Sequence, residues 1–258
     1  MESLKVKTIN DFVNAGEKPE ILFWVGSAGS FDERAKKITR AFVKILNKAN
    51  INFAVLGEQE SSSGDAAKRA GNEFLFQMQA LMNIEILNSY DITNIVTTCP
   101  HSYNTLKNEY SDLGGNYKVT HHTEFISDLI KHGKLNLTTD FNYKKITYHD
   151  PCYLGRGNDI YESPRDLIAN LNIDFVEMPR NKRKSFCCGA GGAQMFKEAE
   201  NGKFEINIIR TEEALKTGAD VIATGCPFCN TMMTDGVKNI SEGQAQVKDI
   251  AELIAECI

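Results

Sequence analysis

The 258-residue chain contains no apolar run approaching the roughly 18 residues that a membrane-spanning helix needs. Its opening, MESLKVKTIND, lacks the apolar stretch of a secretory leader. A surplus of positive charge is missing too: 29 Lys and Arg against 34 Asp and Glu give a net charge of −5. That balance argues against a nucleic acid or an anionic membrane as partner, since both call for a basic surface. The nucleotide fingerprints G-x-G-x-x-G and G-x-x-x-x-G-K-[ST] are absent, and Val25 spoils a G-x-S-x-G nucleophile elbow around Ser27. So is the C-x-x-C-x-x-C run of ferredoxins. What remains, 42% hydrophobic and 24% charged residues, is ordinary for a globular chain of one or two domains. We expect it in a reducing cytoplasm, where cysteines more often signal metal or redox chemistry than structural disulfides.

Cysteine is the unusual presence. The seven stand at 99, 152, 187, 188, 226, 229 and 257, five of them in the order Cys152, 34 residues, Cys187-Cys188-Gly189, 36 residues, Cys226-Pro-Phe-Cys229. Thiolates favour soft metals, and a Cys-x-x-Cys turn aims two sulfurs at one centre. Zinc takes four ligands in a tetrahedron, which five clustered thiols overfill. In extended backbone Cys187 and Cys188 point to opposite faces and would not share one small ion. The count therefore favours a polynuclear iron–sulfur centre over zinc. Cys257 reads differently: with Ile250, Leu253 and Ile254 it forms an i, i+3, i+4, i+7 stripe, the buried face of a helix.

The pattern is written twice. Sliding it back by 125 residues puts Cys152 on Ser27 and Cys187-Cys188-Gly189 on Ser62-Ser63-Gly64. With two more residues of offset, Cys226-Pro-Phe-Cys229 falls on Cys99-Pro-His-Ser102, and NIVTTCPHSYNTL (94–106) aligns with VIATGCPFCNTMM (221–233). We expect two homologous halves, 1–143 and 144–258, one with a full thiol set and the other mostly with hydroxyls. Apolar runs at Ile21–Val25, Phe53–Leu56, Ile95–Thr98, Ile146–His149, Phe175–Glu177 and Val221–Thr224 predict short buried strands. Helical patterns lie between them: one capped by Asp32 with Ala35, Ile38, Phe42, Ile45 and Leu46 on one face, one over 66–87, and one over 211–215. This alternation predicts an α/β fold with mainly parallel sheets flanked by helices. Ser27, Cys99, Cys152 and Cys226 each follow a predicted strand, where open α/β sheets place ligands. Pro100 and Pro227 suit the first turn of a following helix.

On these residues the sequence resembles the CCG-domain (cysteine-rich domain) iron–sulfur proteins, which include the B-type subunit of heterodisulfide reductase and the (Fe-S)-binding subunits of lactate-utilisation and flavoprotein-linked oxidoreductases. Local matches are WVGSAGSFDERAK (24–36), GDAAKRAGNEFLF (64–76), HDPCYLGR (149–156) and SFCCGAGGAQMF (185–196), and the likeness covers nearly the whole chain. It implies that Cys152, Cys187, Cys188, Cys226 and Cys229 ligate one [4Fe-4S] cluster, non-cubane in heterodisulfide reductase. It further implies an oxidoreductase subunit that takes electrons from a flavoprotein or ferredoxin-type partner and passes them to a thiol, a disulfide or another carrier. The chain departs from the family at Ser27, Ser62 and Ser102, where close members carry cysteine. Serine is a poor iron ligand at neutral pH, and Cys99 alone cannot hold a cluster, so this second site is expected to be degenerate. A zinc-bound or cluster-bound scaffold without turnover is the alternative from outside enzymology.

Residues around the cysteines admit two readings each. His149 and Asp150 would tune the centre or relay protons, or else simply end a strand. Arg156 and the run Arg180, Lys182, Arg183, Lys184 would dock an acidic partner, or form a solvated loop. His101, inside Cys-Pro-His-Ser, would ligate with Cys99 or else, as expected here, lie at the surface or behind the ligands, and His121-His122 is expected at a capped helix start. Gly26-Ser27-Ala28-Gly29 is expected to form a tight turn.

Overall fold

Among the described residues nine short strands form two sheets, and every pairing in both is parallel. The computed structural model describes residues 4–138, 143–198, 201–241 and 243–258. Residues 1–3, at the start of the opening stretch considered above, and 139–142, beside the expected 143/144 boundary, lie outside the described residues, as do 199–200 and 242. The N-terminal half runs β1 (Lys7–Thr8), α1 (Ile9–Ala15), β2 (Ile21–Trp24), α2 (Gly26–Phe31), α3 (Glu33–Lys48), β3 (Phe53–Val55), α4 (Asp65–Arg69), α5 (Glu73–Ser89), β4 (Asn94–Thr97), α6 (Pro100–Asn104), β5 (Lys118–His121) and α7 (His122–Lys131). The C-terminal half runs β6 (Lys145–Tyr148), α8 (Gly155–Asn158), α9 (Glu162–Ala169), β7 (Asp174–Phe175), α10 (Ile206–Leu215), β8 (Val221–Thr224), α11 (Pro227–Ile240), β9 (Gln246–Asp249) and α12 (Ile250–Glu256).

The repeat in the sequence is a repeat in space. The first sheet has the order β1-β3-β2-β4-β5 and the second β7-β6-β8-β9, so the second reproduces the first with only the edge strand β1 omitted. The central strands β2, β4, β6 and β8 are covered on both faces, which explains why they are buried almost continuously and do not alternate. Side chains still alternate in destination, as period-2 geometry requires. Phe23 joins the core shared by the two halves, while Leu22 and Trp24 join the outer core of the first. Val221 and Ala223 likewise face the shared core and Ile222 an outer one.

The shared core draws on α3, α7, α9 and α12 through Ile38, Phe42, Leu129, Leu167 and Leu253. Each such side chain, fully buried, contributes about 1.5–3 kcal/mol. Cys257, 3% exposed, belongs to this core, as its stripe predicts. Polar ties across the halves fix the mutual orientation. Arg34 forks onto Glu252 at 2.7 and 2.9 Å and reaches the Val247 carbonyl. His122 meets Asp249 at 2.8 Å with neither side chain exposed. His121 and His122 open helix α7 as expected, His121 as its N-cap, and both are buried at the junction of the halves.

Several local expectations change. The pattern over 66–87 is two helices, because Gly71 adopts φ +85° and the Asn72 side chain caps α5 by accepting from Leu75 N. Gly26–Gly29 is not a turn but the start of α2, and only Gly26 takes the left-handed φ of +78°. Strand β7 stops at Phe175, short of Glu177. The strands β1, β5 and β9 escaped notice because KT, KVTH and QVKD carry too few apolar residues. As predicted, Asp32 caps α3 through Ala35 N at 2.7 Å.

Candidate iron–sulfur centre

The repeat places its cysteines at the carboxyl ends of strands, where parallel α/β sheets leave their crevice. Cys226 is the N-cap of α11 and Cys99 the N-cap of α6, each followed by proline at the first helical position. The tight packing of α11 on α10 holds this station in place: a Cβ on Gly236 would meet Thr211 Oγ1 at 2.1 Å. Cys152 lies in the loop after β6, and Cys187-Cys188 in the loop that precedes α10.

Six of the seven sulfurs form one continuous series. Cys152 touches Cys187, Cys187 touches Cys188, and Cys188 Sγ lies 3.3 Å from Cys229 Sγ. Cys229 then meets Cys226, and Cys226 meets Cys99. Cys187 and Cys188 do not point apart as extended backbone would require. Gly189, at φ +93°, turns the chain and lets its own N–H reach Cys187 Sγ at 3.2 Å. Cys188, Cys226 and Cys229 are buried; Cys152 and Cys187 form a half-exposed edge.

Ionisation follows the contacts. Hydrogen bonds from the Cys152 and Cys188 thiols hold Cys187 well below the ordinary thiol range, against the cost of its burial. Burial opposes ionisation of Cys226, yet contacts from Cys229 and Cys99 and the nearby His101 bring it down as well. Hydrogen bonding to Cys187 raises Cys152 and Cys188, contacts with Cys188 and then Cys226 raise Cys229, and the contact with Cys226 raises Cys99. The six neighbouring sulfurs make an electron-rich, partly dehydrated donor set.

The loops that carry it are clamped by charge. Asp150, 3% exposed, accepts a two-pronged bond from Arg165 at 2.8 and 2.9 Å and another from Lys182 N at 2.8 Å. Its role is thus to join the Cys152 loop to the segment leading into Cys187. Ser185 reinforces that joint by donating to the Asp150 carbonyl, while exposed Arg156 donates to the Ser185 carbonyl. Arg180 and Lys182 are engaged with Glu213 and Glu162, leaving Arg183 and Lys184 as the exposed cations of that run. His149 lies with Cys188 and Cys229 so that one candidate ligand atom from each falls within 4.8 Å of the others. Burial and the charge of Arg210 hold its imidazole neutral, down to about 3. Arg165 and Arg210 were invisible in the sequence, where each is one more charge on a helical pattern.

The hydroxyl half copies this geometry. Ser62 Oγ accepts from Gly64 N at 3.2 Å, as Cys187 Sγ does from Gly189. Ser102 Oγ lies 3.5 Å from Ser63 Oγ, the counterpart of the Cys188–Cys229 contact. Ser27, Ser62, Ser63, Ser102 and Cys99 line a cavity of about 40 Å³, room for a few waters at roughly 10–15 Å³ each. His101 is not at the surface. It is 6% exposed and bonded to Asp65 at 2.9 Å, at the positions held by Phe228 and Ala190 in the other half.

The loop below Ser27 rests on Glu60, whose carboxyl accepts from Val25 N at 3.0 Å and Gly26 N at 2.5 Å. Burial raises it from 4.5 to about 7, the backbone bonds pulling the other way. Its stabilising contribution is therefore full below about pH 4.5, where both states are protonated, and is lost as pH rises to about 7. At about 1.4 kcal/mol per unit, the loss is at most about 3.5 kcal/mol. Glu60→Gln is expected to flatten this part of the stability curve in urea unfolding measured from about pH 4.5 to 8; an unchanged slope would assign the ionisation elsewhere.

Both halves match the cysteine-rich domain (CCG) family, at residues 21–107 and 146–234. The chain belongs to this family. Among curated proteins this CCG protein is 44% identical to the probable iron-sulfur-binding oxidoreductase FadF of Bacillus subtilis, over 98% of the chain and 36% of that protein. It is 41% identical to the EtfAB:quinone oxidoreductase of Syntrophomonas wolfei, over 95% of the chain and 35% of the relative. With a dihydromethanophenazine:CoB--CoM heterodisulfide reductase polypeptide of Methanosarcina barkeri, one of that enzyme's subunits, it shares 32% over 95% of the chain and 61% of the relative. The chain thus spans about a third of the length of the first two. Among solved structures, the glutamate racemase of Aquifex pyrophilus shares 17% identity at a TM-score of 0.38, covering 92% of this chain and 81% of that one, too slight a likeness to bear on chemistry. No helix among the described residues is long and apolar enough to cross a membrane.

Proposed function

We propose that Cys152, Cys187, Cys188, Cys226 and Cys229 hold one [4Fe-4S] cluster, of the non-cubane kind. In this reading the CCG protein is a cytoplasmic iron–sulfur subunit of an oxidoreductase complex. The observation that carries it is the shape of the donor set: the sulfurs are strung out in a series, which suits several irons and not the single point of a zinc tetrahedron. The bound cluster would supply one-electron chemistry at the crevice. The chain's own part is to keep Cys188, Cys226 and Cys229 dry, to leave the Cys152–Cys187 edge half open, and to lock the two loops together through Asp150 and Arg165.

The named relatives, an EtfAB:quinone oxidoreductase and part of a heterodisulfide reductase, support a flavoprotein or ferredoxin-type donor and a disulfide, quinone or further carrier as acceptor. Anaerobic purification with iron, sulfide and zinc analysis tests the reading. About four irons and four sulfides per chain are expected, with an EPR signal in one redox state. Stoichiometric zinc without sulfide would instead make the chain a zinc-bound scaffold.

A further inference from the structure

Among the described residues Arg210 is the largest charged side chain with no exposure at all, and it spends its donors on one side of the cysteine cluster. From α10 its Nε donates to His149 Nδ1 at 3.0 Å, its Nη1 to the Arg180 carbonyl at 2.9 Å, and its Nη2 to Ser185 Oγ at 3.5 Å. Glu213 neutralises it at 3.1 Å and is itself fixed by Arg180 through N at 2.7 Å and Nε at 2.9 Å. Held on every side, the guanidinium has no room to swing away from His149.

A guanidinium has five N–H donors and no acceptor. His149 Nδ1 must therefore be the acceptor in this bond, with its lone pair committed. A neutral imidazole carries one hydrogen, and with Nδ1 accepting, that hydrogen resides on Nε2. Neither ring nitrogen then has a lone pair to give a metal. His149 nevertheless groups with Cys188 and Cys229 within 4.8 Å, the spacing of a metal site, and 1% of it is exposed. Proximity alone would make it a ligand; the Arg210 bond rules that out.

We propose that Arg210 and His149 are a positioning pair, Arg210 fixing the tautomer and His149 offering its remaining N–H to the sulfurs of the centre, which it tunes without ligating. The inference rests on the five cysteines holding a cluster. Hydrogen bonds to cluster sulfurs favour the more negative, reduced state and so raise the potential. Arg210 acts through His149 and adds the rigidity that keeps the donor in place.

The test uses the full chain, purified anaerobically with its cluster. His149→Leu, which removes the donor, should retain the wild-type iron and sulfide content. At a fixed poise its reduced-to-oxidised ratio should fall about tenfold, a drop of about 59 mV for a one-electron couple. His149→Gln, which keeps a side-chain N–H, should recover most of that shift, and Arg210→Met should lower the potential part-way. A second measurement needs no variant: pulsed EPR of the wild type with ¹⁵N-labelled histidine should show only the weak coupling of a nitrogen outside the ligand shell. Strong ligand-type coupling, loss of iron in His149→Leu, or an unchanged potential in that variant would each overturn the proposal. Failure of the ligand assignment itself would appear earlier and separately, as a wild type carrying zinc or no metal, and would take this inference with it.

Discussion

Cys188→Ser is expected to reduce bound iron from about four per chain to less than about one, with loss of the visible absorption, while the far-ultraviolet circular dichroism stays native. Cys188 stands mid-way in the series of sulfurs, 3.3 Å from Cys229 and in contact with Cys187, so its loss divides the donor set in two. It is 3% exposed, and no water can take its place easily. A serine hydroxyl would have to lose its proton to ligate iron, far outside its ordinary range, whereas thiols need only a modest push. The control is Cys257→Ser. Cys257 is equally buried, at 3%, but packs in the shared core with Leu253 and Ile254, and burial raises its thiol. That variant should lose about 1–3 kcal/mol of stability, the cost of an ill-partnered buried hydroxyl, and keep all of its iron. Iron analysis and urea unfolding of the two variants separate the roles; full iron retention in Cys188→Ser would strike Cys188 from the ligand set.

Much of this site was legible because its information is local. Cys-Pro after a strand predicts a sulfur at a helix start, and both Cys99 and Cys226 are N-caps with proline next in line. The 125-residue offset predicts two halves, and strand order repeats accordingly. What failed was non-local. Reasoning from extended backbone separated Cys187 from Cys188, because nothing in Cys-Cys-Gly states the left-handed φ of Gly189 that reunites them. Arg210 and Arg165 carry no spacing signal, since their partners His149, Asp150 and Glu177 are 61, 15 and 12 residues away. Of the two places expected for His101, the buried one behind the cysteines holds, and sequence alone left the choice open because the acid that pairs with it, Asp65, comes from 36 positions earlier. The edge strands β5 and β9 were missed because their burial is set by a neighbouring strand and not by their own composition.

Restoring the hydroxyl half should double the iron. The fourfold variant Ser27→Cys, Ser62→Cys, Ser63→Cys, Ser102→Cys, added to native Cys99, recreates a five-thiol set on a backbone that already has the required form. Gly64, at φ +87°, turns as Gly189 does at +93°, and its N–H already points at the side chain of residue 62. The Ser63–Ser102 separation of 3.5 Å is close to the Cys188–Cys229 distance of 3.3 Å. Sulfur replacing oxygen at four positions that line one small cavity adds volume where space exists and supplies ligands of the right softness. About eight irons per chain are expected in place of about four. The obstacle is the Asp65–His101 pair, which fills the positions of Ala190 and Phe228 and is tied further to Arg69. If iron does not rise in the fourfold variant but does when Asp65→Ala and His101→Phe are added, the pair itself keeps the cluster out. The N-terminal half would then be a pocket rebuilt around an acid–histidine pair and not merely a site that lost its thiols. Iron unchanged in both variants would mean that matching hydrogen bonds and turn angles do not suffice to remake the station, against the geometry described above.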